Sequence, residues 1–184
     1  GGAAQRGGVD RLARALPPDG PAGRVCEDRR VTTLLYLVRH GETDWNAQRR
    51  IQGSTDIPLN DTGRRQAAEA AELLTRRPFD AVVASPLSRA AETGAIIADR
   101  LGLEAPTTYP GLAERSYGEA EGLTKEEAVA RFGDDWPGEE AFEDLQRRAV
   151  AAVDEVAAET LDLLDRETTS SSTESHLSRK ASRP

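Results

Sequence analysis

A histidine between an arginine and a glycine, directly after a short apolar run, has the makings of a phosphate site. The run is Leu34-Leu35-Tyr36-Leu37-Val38, and Arg39-His40-Gly41-Glu42-Thr43-Asp44-Trp45-Asn46 follows it. A neutral imidazole can attack phosphorus, and an ordinary histidine pKa of about 6.5 keeps that form plentiful at neutral pH. Arg39 and, further on, Arg89 carry planar forks that match phosphoryl oxygens two at a time, which lysine does less well. The amide of Asn46 can add another donor. Charge developing on a transferring phosphoryl group then meets fixed donors, the main contribution a protein makes to such chemistry. Plainer roles are open to the same residues: Arg39-His40 as a strand-end pair capping a helix, and Arg89 as half of a helical surface salt bridge.

These side chains converge only if the fold brings them to one edge of a sheet. Leu34 to Val38 reads as a strand buried on both faces, which puts His40 at its carboxyl end, where open α/β sheets bind ligands. Asn60-Asp61-Thr62-Gly63 offers capping oxygens for a helix over Arg64 to Arg77, ended by Pro78. Asp80 to Ala84 reads as a second buried strand. Ser85 can cap a helix with Pro86 at its first position, running over Leu87 to Leu101 and stopped by Gly102. Thr124 and Glu127 form a capping box for a helix ending near Gly133. Phe142, Leu145, Ala149, Val153, Val156 and Leu163 mark one face of a long later helix. Strand and helix alternate, which predicts an α/β three-layer sandwich with a mostly parallel central sheet.

Composition narrows the classes. A chain of 184 residues with 38% hydrophobic content suits one globular domain. No apolar run approaches the roughly 18 residues of a membrane helix, and no apolar segment of signal-peptide type opens the chain, so a cytoplasmic protein without membrane association is expected. Residues 34–165 carry 14 basic and 26 acidic side chains, a net charge of −12, which argues against nucleic acid as a partner. A small phosphorylated metabolite remains compatible, because a few converging arginines can reverse the local field. Residues 1–30 read as a flexible leader of Gly, Ala, Pro and Arg, and the absence of methionine suggests that its start is not native. Thr168 to Ser175 holds seven Ser or Thr in eight positions, so residues 167–184 read as an irregular polar tail. Cys26 is expected to be chemically incidental, and Trp45 to pack rather than bind. Asp134-Asp135 and Glu139-Glu140 read as a solvated acidic edge, and two histidines with one cysteine give no zinc spacing. Neither a metal nor a cofactor is expected.

The string from Leu37 to Asn46 does not stand alone. With Arg50 to Leu59, Gly63, Gln66-Ala67, Ser85 to Ala90, Glu92-Thr93, Leu112-Ala113-Glu114 and Gly118 to Gly122, it resembles the histidine phosphatase superfamily, the phosphoglycerate mutase-like family, over about residues 34–159. The resemblance implies that His40 is a nucleophile that becomes phosphohistidine, and that Arg39, Asn46 and Arg89 bind phosphate. It implies that Glu114 is the acid that protonates the leaving alkoxide and then activates water. It also places Gln52, Gly53 and Tyr117 toward the substrate, although these three can equally shape a turn and pack.

The resemblance breaks off between about Thr160 and Glu167. Members of the family carry a second histidine, followed by glycine, at the end of another central apolar strand. Here His176 follows a polar run and precedes Leu177-Ser178. The expectation is therefore a domain over residues 31–166, incomplete at its C-terminal end. Its implied activity is hydrolysis of small phosphate monoesters through phosphohistidine. The alternatives are a phosphoglycerate mutase-type phosphotransferase and a non-catalytic phosphate-binding remnant.

Overall fold

The computed structural model describes residues 33–180, and side chains as far as Leu161. The leader and Cys26 lie outside the described residues. Among the described residues, five helices and two strands follow one another as α1 (Asp44–Ala47), α2 (Asp61–Leu74), β1 (Val83–Ala84), α3 (Ser88–Leu101), β2 (Thr107–Thr108), α4 (Lys125–Phe132) and α5 (Phe142–Lys180). Single 3-10 turns at Pro110–Leu112 and Gly118–Ala120 separate β2 from α4. The fold is α/β with a parallel sheet: β1 pairs with β2 in the register Val83 to Thr107 and Ala84 to Thr108.

Local signals set the ends of several helices. Asn60 caps α2 through its side chain, which accepts from the Gly63 amide at 2.8 Å. Thr124 and Glu127 close both halves of their capping box on α4. Gly102 ends α3 in the left-handed conformation that a residue with a Cβ resists. The start of α3 differs from expectation. Ser85 and Pro86 precede the helix, Leu87 occupies the cap position without a side-chain bond, and the Ser88 amide is instead taken by Asp56, at 2.7 Å, from a distant loop. Helix α2 starts three residues earlier and ends three residues earlier than the sequence suggested.

Helices α2 and α3 pack through small residues. Gly63, Ala67 and Ala71 are buried on α2, and Thr93, Gly94 and Ala98 on α3. Gly94 lies where an added Cβ would rest at 3.4 Å on Ala84 and on Pro106, so α3 sits directly over β1 and the approach to β2. Helix α5 covers the other end of this unit, with Tyr109, Ala152 and Val156 buried together and Val83 and Leu112 packed against them. The buried seam of α5 runs through Ala152 rather than Val153, and Phe142 is exposed, so the expected face is rotated at these two positions. Gly111 explains the rotation: its missing side chain lets the 110–112 turn approach the helix, where a Cβ would meet the Ala152 Cβ and the Arg148 carbonyl at 2.7 Å.

Two expectations are corrected. Leu34 to Val38 is not a buried strand: the backbone has no ladder partner among the described residues, and Leu34 and Leu37 are 71% and 86% exposed. A continuous apolar run becomes a buried strand only when neighbours cover both faces and both edges, and here the segment is held chiefly by Tyr36, whose ring meets Phe79 edge-on at 5.0 Å. The Ser/Thr-rich stretch is also not irregular as far as Lys180, because the α5 backbone continues through it. Extending an existing helix fixes one residue per added bond, which is far easier than nucleating one.

Past the exposed run the chain crosses α2 at two glycines. A Cβ on Gly41 would lie 2.2 Å from the Gly63 carbonyl oxygen, and a Cβ on Gly63 would lie 2.1 Å from that of Glu42. Gly41→Ala and Gly63→Ala are each expected to lower unfolding free energy by about 3 kcal/mol in urea titrations, because backbone has to move. Gly102→Ala meets nothing within 4 Å and suffers only backbone strain, so about 1 kcal/mol is expected there. Equal losses at all three positions would show that the crossing is loose.

Candidate active site

The Gly41–Gly63 crossing fixes where His40 can be. Glu42 is pinned to α2, its amide donating to Gln66 at 2.8 Å and its carbonyl accepting from the Asn60 amide at 3.0 Å. The Gly41 amide donates to Thr93 Oγ1 of α3 at 3.2 Å. His40 is half-buried in the space this leaves, with Nδ1 2.7 Å from the Gly41 carbonyl oxygen. A carbonyl only accepts, so Nδ1 carries the proton and Nε2 keeps its lone pair. Burial holds the imidazole pKa below its usual value. The Gly41 bond and Glu114 pull upward, and the charges of Arg89 and Arg39 push further down.

Arg89 lies one turn before Thr93 on α3 and is 1% exposed. Its Nη1 donates to the Thr55 carbonyl at 2.8 Å and its Nη2 to that of Gly53 at 2.6 Å, while Nε is buried without a partner. The fork expected to be free for phosphate is thus largely committed to the backbone of the 53–55 loop. Arg39 is exposed, and its charge is felt at His40. Asn46 is engaged locally, its Oδ1 accepting from the Thr43 amide at 3.1 Å in the capping box of α1.

The substrate-side residues divide. Gln52 is buried and accepts from Thr43 Oγ1 at 2.6 Å, and Gly53, at φ 54°, offers its carbonyl to Arg89. Both build the loop and are turned inward. Tyr117 is half-buried, edge-on to Trp136 at 5.8 Å and beneath Arg115. Burial and then the charge of Glu114 raise its phenol pKa. Glu114 is exposed, accepts from the Arg115 amide at 2.8 Å, and acts electrostatically on His40, Arg89 and Tyr117. His40, Arg39, Arg89, Glu114 and Tyr117 are therefore drawn into one neighbourhood, while Asn46, Gln52 and Gly53 chiefly hold its walls. Trp45 packs on Gly122. The His176 side chain lies outside the described residues, and a shallow depression along α5 lined by Glu143, Gln146 and Val150 contains none of these groups.

Thr93 and Glu121 are among the organising residues to which the sequence alone assigned no role. Thr93 accepts from Gly41 while donating to the Arg89 carbonyl at 2.7 Å, so it joins the nucleophile loop to α3. Glu121 accepts from the amides of Ser54, Thr55 and Tyr117, at 2.9, 2.8 and 2.9 Å, and from the hydroxyl of Thr55. The only signal for Glu121 was its place between Gly118 and Gly122, whose positive φ angles form the tight turns around it.

A parallel β1–β2 pair capped by α3, with imidazole, guanidinium and carboxylate gathered at the loops, places the molecule in the phosphoglycerate mutase-like α/β class. The chain belongs to the histidine phosphatase superfamily (branch 1), whose profile matches residues 35–163. It is 45% identical over 125 residues to the uncharacterized phosphatase PhoE of Bacillus subtilis, covering 67% of this chain and 64% of that protein. It is 41% identical over 132 residues to a probable phosphoglycerate mutase GpmB of Yersinia pestis, covering 65% and 61%. A solved mycobacterial glucosyl-3-phosphoglycerate phosphatase in complex with VO3 superposes with a TM-score of 0.60 at 34% identity, covering 65% of this chain and 64% of that one. The chain thus spans less than two thirds of the length of these relatives.

Glu121 generates a pH prediction. Burial penalises its charge, but the hydrogen bonds from Thr55, Tyr117 and Ser54 outweigh that and hold its pKa below the usual glutamate value. Its stabilisation is complete above the unfolded-state pKa and fades as pH falls through the lower folded value. Glu121→Gln is expected to cost about 1–3 kcal/mol at pH 7 and to flatten the loss of stability below pH 4.5, measured by urea unfolding across pH. An unchanged acid slope would remove Glu121 from this role.

Proposed function

We propose that this chain hydrolyses small phosphate monoesters through a phosphohistidine formed on His40. The observation that carries the reading is the Nδ1–Gly41 bond, which leaves Nε2 unprotonated and aims one lone pair away from the backbone. In the first step Nε2 forms a bond to phosphorus as the P–O bond to the leaving alkoxide breaks, and Glu114 gives that alkoxide a proton. In the second, Glu114 takes a proton from water as its oxygen attacks phosphorus, and the P–N bond returns its electron pair to Nε2. Arg39 and the buried charge of Arg89 stabilise the phosphoryl oxygens, with the Asn46 amide group as a further donor. Tyr117, against Trp136, forms an apolar wall for the alcohol portion of the substrate. Matching relatives named as phosphatases, one of them acting on glucosyl-3-phosphoglycerate by its name, support a small phosphorylated metabolite as substrate. We place it in the cytoplasm, consistent with the lone Cys26.

A second reading has support from the relatives named as phosphoglycerate mutases. A mutase returns the phosphoryl group to an isomeric substrate, so its activity would depend on priming by a bisphosphorylated compound. A hydrolase would not need it.

Mass spectrometry of the chain after brief exposure to a phosphate ester should find acid-labile phosphate on His40. His40→Ala is expected to abolish both that adduct and turnover while leaving phosphate binding partly intact through Arg39 and Arg89. The lowered imidazole pKa moves protonation of Nε2 to below pH 6.5, so the acid limb of kcat/KM should lie below that value. Phosphate binding without any adduct would leave a non-catalytic remnant as the answer.

A further inference from the structure

Glu114 sits on a loop with no regular secondary structure, so something outside the loop must hold it. Arg148 of α5 does so through the backbone. Its Nη1 donates to the carbonyls of Gly111 at 2.9 Å and Ala113 at 2.6 Å, and its Nη2 to that of Glu114 at 3.1 Å. The other edge of the guanidinium is forked onto Glu140, Nε at 2.6 Å and Nη2 at 2.7 Å. Glu140 is not on the solvated acidic edge expected of it: it is half-buried and tied to the same loop, its amide donating to the Ser116 carbonyl at 2.9 Å and its carboxylate accepting from the Ser116 amide at 3.3 Å. Arg115 completes the frame, with Nε on the Glu140 carbonyl at 2.8 Å and Nη1 on Glu139 at 3.0 Å. One planar cation thus spans four acceptor groups on both sides of the Glu114 loop. Arginine can do this and lysine cannot, because lysine offers a single nitrogen.

We propose that Arg148, oriented by Glu140, is a positioning residue that sets the Glu114 carboxylate for proton transfer. The proposal rests on the reading of Glu114 as the acid. Arg148 binds the carbonyl of Glu114 and not its carboxylate, so it acts on direction and distance. Proton transfer to a leaving alkoxide depends on both, and a misplacement of about 1 Å costs roughly a hundredfold in rate. Gly111 belongs to the same device, because only a residue without a Cβ lets the loop come down onto the α5 backbone at Arg148.

The test compares wild type, Glu114→Gln, Arg148→Lys, Glu140→Gln and the Glu114→Gln/Arg148→Lys pair on phosphate esters from activated aryl to alkyl. Arg148→Lys should lower kcat on alkyl esters by about tenfold to a hundredfold. Activated aryl esters and KM should change by less than about threefold. Glu140→Gln should shift the series the same way but less, and the double variant should be no slower on alkyl esters than Glu114→Gln alone. Uniform loss across all esters, or no loss, overturns the proposal. If Glu114→Gln itself shows no leaving-group dependence, the acid reading has failed, and amide exchange decides the clamp separately. Arg148→Lys is then expected to raise exchange at Arg115, whose amide is held by Glu114, more than at amides of α2 and α3. Unchanged protection there overturns the clamp.

Discussion

A guanidinium with almost no exposed surface obliges its surroundings to supply acceptors or negative charge, since a buried cation without them is far too costly. Arg89 imposes that demand on this fold. It recruits the carbonyls of Gly53 and Thr55, which is why the segment between α1 and α2 folds back onto α3. Asp56, next along that segment, then lies where it can cap α3 through Ser88, and the bonds from Ser88 hold its carboxyl below the usual aspartate pKa. Desolvation lowers the Arg89 pKa, while Glu114, Asp56 and Glu121 oppose it. The three carboxylates around Arg89 are the counter-charge that makes its burial tolerable.

His40 is placed by a different kind of constraint, a steric one. Gly41 and Gly63 let two backbones cross at a distance no side chain permits, and Thr93 takes the amide exposed by that crossing. The Gly41 amide therefore meets α3 at Thr93, one helical turn from Arg89, with His40 directly before it, although the apolar run before that is not held in a sheet. Fixing the tautomer through the Gly41 carbonyl costs the ring no second partner. Nε2 keeps its lone pair.

What could be read from the sequence was local in origin. Asn60, Thr124 with Glu127, and Gly102 act within one helical turn, so their types and spacing announce the helix ends. The string around His40 was legible because it is contiguous. Contacts between distant segments were not legible. Leu34 to Val38 has the composition of a buried strand, but a ladder partner is a property of the rest of the chain. The cap on α3 comes from Asp56, 32 residues away, so Ser85 and Pro86 pointed to the wrong start. The rotation of α5 toward Ala152 depends on Gly111 in another turn, and helix periodicity alone cannot contain it. The commitment of Arg89 to two carbonyls is likewise invisible in a residue type suited equally to phosphate.

The site consists of two halves with different supports. His40 and Arg89 are carried by α2, α3 and the crossing loop, while Glu114 and Tyr117 are carried by a loop that Arg148 and Glu140 fasten to α5. Glu121 links the two: it accepts from Ser54 and Thr55 in the loop that serves Arg89, and from Tyr117 in the loop that carries Glu114. Backbone bonds from Ile51 to Leu123 and from Gly122 to Ile51, both 2.8 Å, join the same two segments, so the spacing of His40 and Glu114 is held by this carboxylate together with a short local ladder. A charged acceptor suits that role, because several short donors converge on it and each is stronger for its charge. Its depressed pKa favours the charged form of the link. Phosphoryl transfer needs nucleophile, phosphorus and leaving oxygen in line, and a link that is ionised at neutral pH helps the loops around His40 and Glu114 keep a fixed spacing.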